Sequence, residues 1–203
     1  MLTKNEKNQI ESLLLNDPSF LKSMNDVFLF EGKEKGHSNA SPIEDVISDI
    51  LVSNLNAKKA VGSRELGDVY INDNFINIKF GDEGFGQPNM CSMNRIMKKF
   101  VESDEIDSYN IIKVKMTNDA YSIKVFDMFD YIDYITWNSG TGQIMLKEAE
   151  FYRNIDLEIE SISIEEKKRK IAELYIKGQN EHINLRIKQK DKKIKLLKKM
   201  GII

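Results

Sequence analysis

Cysteine, histidine and proline are scarce in this chain of 203 residues, which holds one cysteine, two histidines and three prolines. A lone cysteine excludes an internal disulfide framework. One cysteine and two histidines are too few for an ordinary structural zinc site within one chain. No run of eighteen apolar residues occurs, and the N-terminus lacks the apolar core of a signal peptide. These absences predict a cytoplasmic protein with no membrane span.

The overall composition is ordinary for a globular protein, with 41% hydrophobic and 31% charged residues. The length suits one domain covering residues 1–203 with a sizeable core. The net charge of −2 hides a basic C-terminal segment, because residues 165–199 hold 13 Lys or Arg against 5 Asp or Glu. Such a segment suits a polyanion-binding arm, but a solvated helix face has the same composition.

The most informative stretch is a predicted β-hairpin. Val69–Ile71 and Phe75–Phe80 alternate apolar and polar residues on either side of an Asn-Asp-Asn turn. On the second strand Asn77 and Lys79 share one face, because successive side chains point to opposite faces. Asp68 stands at the start of the first strand. A carboxylate, an amide and an ammonium group therefore converge at one end of the hairpin.

These groups suit phosphodiester cleavage. A carboxylate such as Asp68 binds Mg²⁺ through oxygen, and the strand carbonyl of Ile78 can add a second oxygen. A lysine beside the metal can orient or help deprotonate water and offset charge on the reacting phosphorus. The same residues also fit an ordinary hairpin whose polar side chains face solvent, and their spacing alone does not separate the two interpretations.

The ordered set Gly67-Asp68, Ile76–Lys79 and Gln87–Asn89 resembles the signature of the PD-(D/E)XK nucleases. It is most similar to the HincII- and EcoRV-like branch of type II restriction endonucleases. Gly36-His37 and Pro42–Glu44 upstream also resemble this pattern, and the whole likeness covers roughly residues 36–147. The resemblance implies Mg²⁺-dependent cleavage of double-stranded DNA at a short palindromic site, by a homodimer belonging to a restriction-modification system.

The resemblance also implies roles for the hairpin residues. Asp68 would bind the metal, Asn77 and the Ile78 carbonyl would complete or support its site, and Lys79 would position or activate the attacking water. Asn77 departs from the family, which usually has Asp or Glu there. Because an amide oxygen carries no charge, we expect weaker binding of a hard dication and a greater need for another acid.

Glu44 is the first candidate for that acid. It borders the apolar stripe of a helix predicted to begin at Ser41–Pro42, so it can reach the active edge of the sheet and assist a second metal or a water. Ser41 and Glu44 also have the spacing of a capping box, in which Glu44 would only satisfy a backbone amide. Glu65 is a competing acid, and Asp82 or Glu83 could instead supply the missing charge.

Gln87 and Asn89 are the candidates for base recognition. Three glycines in the preceding residues let the backbone approach a ligand closely, and amide side chains pair with the major-groove edge of adenine. An ordinary flexible loop has the same composition. The other DNA-contact candidates are Arg95 on a helix beginning at Ser92, His37 and Asn39 in a predicted loop over residues 31–40, and Asn138 in a glycine-bearing loop.

We therefore expect an α/β fold of the restriction-endonuclease type, with a mixed central sheet of about five strands and helices on both sides. Helical extensions are predicted at the N-terminus, residues 1–30, and in a basic tail, residues 163–203, with a break near Gly178. Three other functions fit the same sequence: a repair-type nicking enzyme on this fold, a non-catalytic DNA-binding module, and a scaffold that pairs proteins through its charged helix.

Overall fold

The computed structural model describes residues 1–29, 35–60, 66–82, 89–116, 120–138, 140–147, 150–151 and 162–203. This part of the chain is a mixed α/β fold. Its helices are α1 Lys4–Asn16, α2 Pro18–Leu29, α3 Lys35–Leu55, α4 Met93–Ile96 and α5 Ile164–Lys199. Its strands are β1 Lys58–Lys59, β2 Val69–Ile71, β3 Asn74–Asp82, β4 Asn89–Ser92, β5 Asn110–Met116, β6 Tyr121–Asp127, β7 Ile135–Asn138 and β8 Gln143–Leu146. None of the described helices is both long and apolar enough to cross a lipid bilayer.

The main sheet has five strands in the order β1-β2-β3-β5-β6. Strands β2 and β3 form the predicted hairpin, and Asn72 and Asp73 both adopt positive φ, at 47° and 62°, in its turn. Asparagine and aspartate tolerate this left-handed conformation, which a two-residue hairpin turn requires. Strand β3 is parallel to β5, whereas the other neighbours are antiparallel. The predicted mixed sheet of about five strands is therefore confirmed.

Helices cover both faces of this sheet, and each face has its own apolar core. Ile76 and Ile78 of β3 point to the face on which α1, α2 and α3 pack. Ile111 of β5 points to the opposite face, where it packs with Phe100 of the π-helical segment Met97–Glu102. The period-two alternation of the strands assigns each residue to one core or the other.

A second, three-stranded sheet in the order β4-β8-β7 lies on the side of Phe100 and was not predicted. Its strands have only four residues each, and β4 pairs with a strand that lies about fifty residues away in sequence. A 3-10 helix, Met128–Tyr134, leads from β6 into this sheet. Strands this short give little periodicity, so their pairing depends on contacts that are distant in sequence.

Helix α3 begins earlier than predicted, which corrects the expected placement of His37 and Asn39. Both residues lie in the first turns of α3, not in a loop, and Pro42 lies inside the helix. Ser41 with Pro42 and Glu44 has the pattern of a helix start, but Glu44 instead turns to the backbone of β3. Glu44 therefore reaches the sheet edge, and the alternative of a local capping box does not apply, because Ser41 lies inside the helix and not at its N-cap.

Helix α5 is continuous over 36 residues, so the break predicted near Gly178 is wrong. A Cβ atom at Gly178 would lie 2.2 Å from the ring of Trp137. Glycine is therefore present because the helix packs closely against β7, and not because it ends there. One turn from the helix start, the buried ammonium group of Lys167 lies 2.5 Å from Asp130 Oδ1 and 3.7 Å from Asp127 Oδ2.

Candidate functional site

The site is built on the edge of β3 that faces β2. The register of β2 with β3 ends at Val69, opposite Ile76, and the last backbone hydrogen bond runs from the Asp68 N–H to the Ile76 carbonyl at 2.8 Å. The carboxylate of Asp68 continues this pairing, because its Oδ2 accepts a hydrogen bond from the Ile78 N–H at 2.6 Å. Gly67 allows this approach, since a Cβ there would lie 2.5 Å from the Ile76 carbonyl oxygen. The sequence Gly67-Asp68 thus places a carboxylate on the strand edge.

Glu44 reaches the same edge from α3. Its Oε1 accepts a hydrogen bond from the Phe80 N–H at 3.2 Å. Burial raises the pKa of the Glu44 carboxyl, and the negative charge of Asp68 adds to this effect. The Lys79 ammonium, the Phe80 N–H and the Lys113 ammonium oppose it by favouring the charged form. The Glu44 carboxyl therefore keeps its proton to higher pH than an ordinary glutamate does.

The Ile78 carbonyl lies between the two carboxylates along the strand edge. In a β-strand the N–H and C=O of one residue point the same way, and this direction alternates from residue to residue. Because the Ile78 and Phe80 N–H groups point to Asp68 and Glu44, the Ile78 carbonyl faces the same edge. The two N–H groups are separated by two residues, about 7 Å. Three oxygen-bearing groups therefore line one short length of backbone.

Lys79 adds a positive charge to this edge. Its Nζ lies 3.9 Å from Glu44 Oε1, and its side chain is 17% exposed. It shares a sheet face with Asn77, as predicted, because the two residues are separated by one position in β3. The structure thus brings the predicted residues Asp68, Lys79 and Glu44 together around Ile78.

Asn77 is buried, and one end of its amide has no hydrogen-bond partner among the described residues. Its Nδ2 donates a long hydrogen bond of 3.4 Å to the Leu66 carbonyl. Its Oδ1 accepts no hydrogen bond in the described part of the chain. The Leu66 carbonyl fixes this orientation, because exchanging the two amide ends would place two acceptors face to face. An unsatisfied buried oxygen costs free energy unless a donor or a cation reaches it.

These oxygens fit a hard cation better than a soft one. Mg²⁺ takes oxygen ligands at about 2.0–2.1 Å and retains several waters. Asp68 Oδ1 and Glu44 Oε2 take no hydrogen bond from other described residues, and the Ile78 carbonyl adds a neutral oxygen on the same edge. The unpartnered Asn77 Oδ1 belongs to the preceding residue of β3. No cluster of three His, Cys, Asp or Glu side chains occurs within the residues described. Any cation here would therefore depend partly on carbonyl oxygens and water.

A buried phenol and thiol lie behind the site. Burial raises the pKa of the Tyr109 hydroxyl, and the Cys91 thiol and the Asp68 carboxylate contribute to the rise. Burial also raises the pKa of Cys91 to about 12, while Tyr109, Arg95 and Lys79 act in the opposite direction. The Tyr109 hydroxyl makes no well-formed hydrogen bond among the described residues. Both groups are therefore neutral near pH 7, and their side chains pack behind the site without carrying charge.

The predicted DNA-contact residues are spread over several elements. Arg95 lies in α4 and is half-buried, and its charge reaches Cys91 and Tyr109 behind the site. Asn138 Oδ1 accepts hydrogen bonds from the N–H groups of Gly140 and Thr141, at 2.9 and 3.2 Å, and so closes its own turn.

The other predicted contact residues have backbone positions only, or none. His37 and Asn39 lie in α3 and Asn89 lies in β4, and their side chains fall outside the described residues. Gln87, Glu65 and Glu83 fall outside the described residues altogether, as does the side chain of Asp82. Base recognition by Gln87 and Asn89 stays a prediction.

Sequence reasoning missed Lys113, which lies opposite Lys79 in the parallel pair β3–β5. It is 1% exposed, and its positive charge acts to lower the pKa of Glu44. The alternation within Asn110–Met116 places Lys113 and Lys115 on one face of the strand. The parallel register that sets Lys113 beside Lys79 is a long-range contact with no local signature.

Comparison with known proteins leaves the family open. No protein-family model matches this chain, and no curated protein matches its sequence.

Proposed function

We propose that this protein is a Mg²⁺-dependent endonuclease that hydrolyses phosphodiester bonds in double-stranded DNA, with a fold of the PD-(D/E)XK type. One observation carries the proposal. The carboxylates of Asp68 and Glu44 lie along the same edge of β3, on either side of the Ile78 carbonyl, and the Lys79 ammonium lies 3.9 Å from Glu44. Acids, a backbone carbonyl and an amine in one place suit metal-assisted phosphoryl hydrolysis.

Each group has a separate role in this proposal. Asp68, Glu44, the Ile78 carbonyl and Asn77 Oδ1 are the oxygens that would hold Mg²⁺, which would supply positive charge next to the phosphate and make a bound water more acidic. Asp68 is held in place by the Ile78 N–H, so its second oxygen points in a fixed direction. Lys79 positions the attacking water and offsets the negative charge that develops on the phosphate oxygens.

Plasmid cleavage tests the proposal directly. Supercoiled DNA is incubated with Mg²⁺ and either wild-type protein, Asp68→Ala, Lys79→Ala or the control Asp45→Ala. Asp45 is exposed and follows Glu44 in α3. We expect the Asp68 and Lys79 variants to lose about a hundredfold or more in rate, and the Asp45 variant to cut normally. Wild-type rates for both site variants, with melting curves unchanged, would show that the active site is elsewhere.

The finer proposal is a type II restriction endonuclease that acts as a homodimer on a short palindrome. A two-fold symmetric protein presents identical recognition residues to both half-sites of a palindrome. Gln87 and Asn89 would contact bases, and Arg95, His37, Asn39 and Asn138 would contact DNA around them. Mapping the ends of fragments from a digested genome of known sequence tests this. A single repeated palindrome at the ends supports it, whereas scattered nicks in one strand indicate a repair-type enzyme.

A non-catalytic DNA-binding module is the second candidate, and Asn77 is the observation that favours it. An amide at this position leaves the site with fewer charges than the family usually has, as a decayed metal site would. The two candidates differ in a simple assay. A non-catalytic module binds duplex DNA equally with and without Mg²⁺ and cuts none of a broad set of substrates, whereas a nuclease produces nicked or linear DNA.

A further inference from the structure

Three lysines form a row across three neighbouring strands of the main sheet. Lys79 of β3 is in register with Lys113 of β5, and Lys113 is in register with Lys124 of β6. Strands lie about 4.8 Å apart, so the row spans about 10 Å from the candidate site towards the β6 edge. Lys115 lies two residues beyond Lys113 on the same strand. We refer to Lys79, Lys113, Lys115 and Lys124 as the lysine patch.

All four residues belong to one sheet face. Ile112 and Val114 of β5, and Ile123 and Val125 of β6, point into the core that α1–α3 cover. The lysines occupy the alternate positions, so they point to the opposite face. Near the start of β5 this face is apolar, with Ile111 in the second core. The lysine patch therefore occupies the far end of the face, beyond that core.

A row of like charges has a structural cost. Directly opposite side chains in adjacent strands have Cβ atoms about 5 Å apart, and like charges at that distance are destabilising. Lys113 is also 1% exposed, and a buried ammonium group loses most of its hydration. Lys115 and Lys124 are partly exposed. Lys113, Lys115 and Lys124 each have an interaction within the protein that offsets part of this cost, and the row still places four positive charges on one sheet face beside the candidate site.

Gly81 accommodates this arrangement. A Cβ atom at this position would lie 2.8 Å from the Lys113 Nζ, so the glycine leaves room for the ammonium group beside β3. The Lys113 side chain therefore leans from β5 over β3, where its charge also reaches Glu44. The buried lysine joins the patch to the acids at the edge of β3.

We propose that the lysine patch binds the phosphodiester backbone of DNA next to the scissile bond. Lys115 and Lys124 contact phosphates directly, and the buried Lys113 is a positioning residue that keeps the patch positive beside Glu44. Lys113, Lys115 and Lys124 each also have an interaction partner within the protein, so phosphate is an added contact. The proposal rests on the proposed function for the identity of the polyanion, and it names the sheet face on which the DNA lies.

The salt dependence of DNA binding tests the patch without relying on cleavage. A fluorescent 20-base-pair duplex is titrated with protein in EDTA between 50 and 200 mM salt. Each phosphate contact contributes about 0.9 to the slope of log affinity against log salt concentration. We expect the double variant Lys115→Gln/Lys124→Gln to lower the slope by about 2. Wild-type protein would then lose about tenfold more affinity than the variant over this fourfold change in salt.

Lys22→Gln is the matched control, because Lys22 is exposed on α2, on the other side of the sheet. It should leave the slope unchanged, and melting curves establish that all the variants are folded. If wild-type protein binds DNA and the double variant keeps the same slope, the patch assignment is wrong while the nuclease proposal stands. If wild-type protein binds no duplex DNA either in EDTA or with Mg²⁺ present, the proposed function itself fails.

Discussion

The substitution Asn77→Asp places a carboxylate where the proposed metal site has a neutral amide. In the metal-free protein the change should be destabilising. The side chain is only 7% exposed, so a new charge is desolvated, and the Asn77 Nδ2 can no longer donate to the Leu66 carbonyl. Lys79, on the same face of β3, offsets part of this cost. We expect a net loss of about 2–4 kcal/mol in the free energy of unfolding.

Mg²⁺ should reverse part of this loss. A charged oxygen in place of a neutral one should tighten the binding of Mg²⁺ about tenfold, which adds about 1.4 kcal/mol of stabilisation at saturating metal. For a chain of about 200 residues, 1 kcal/mol changes Tm by about 2–4 °C. The Mg²⁺-induced rise in Tm should therefore be about 3–6 °C larger in Asn77→Asp than in wild-type protein, measured by thermal unfolding with and without 10 mM Mg²⁺.

Asn110→Asp is a matched control. Asn110 is also a buried asparagine of the main sheet, and its Oδ1 likewise accepts no hydrogen bond among the described residues. Its Nδ2 donates to the Phe75 carbonyl and to Ser108 Oγ, at 3.3 and 3.2 Å. A carboxylate there should destabilise the protein without any gain from Mg²⁺. Equal Mg²⁺-induced shifts in the two variants would refute the placement of residue 77 at a metal site.

Three further predictions concern pH, thiol reactivity and packing. Because burial raises the pKa of Glu44, a proton should compete with Mg²⁺ at higher pH than it would at an ordinary glutamate, and the metal-free protein should gain stability as pH falls through that pKa. Mg²⁺ titrations across pH should show this competition at Glu44 in wild-type protein and not in Glu44→Gln. The Cys91 thiol, with a pKa of about 12, should react with a thiol reagent at pH 8 only after unfolding, and rapid labelling of the native protein would contradict its burial. Gly178→Ala should lower the free energy of unfolding by about 1–3 kcal/mol in denaturant unfolding, because its Cβ overlaps the Trp137 ring. Helix propensity alone would make this variant more stable, so a stabilised variant would contradict the contact.

Local signals in the sequence predicted the parts of the fold that short-range contacts decide. Thr3 and Glu6 form a capping box at the start of α1, and their types and spacing alone indicate it. The Asn-Asp-Asn turn predicted the hairpin, and the hairpin predicted that Asp68 and Lys79 lie at one end of β3. In these cases the residues that determine the structure are only a few positions apart.

Contacts between distant residues account for the rest. The early start of α3 was missed because Ser41 and Pro42 resemble a helix start but lie inside the helix, and Glu44 bonds to Phe80, 36 residues away. Gly178 suggested a helix end because its packing partner, Trp137, belongs to another element. The role of Lys113 depends on the parallel register with β3, and strand register is set by the whole sheet.

The close packing at Gly178 has a mechanical consequence for the end of the chain. Helix α5 is held to the body at Lys167 and Gly178, and most of its residues beyond His182 are exposed. The segment from residue 181 to residue 199 is about 28 Å long, and a helix turns as a rigid rod. A tilt of about 10° at its support would therefore swing the tip by about 5 Å over that length. The absence of a Cβ at Gly178, together with the ion pairs of Lys167, therefore determines the direction in which the lysine-rich end of the helix points.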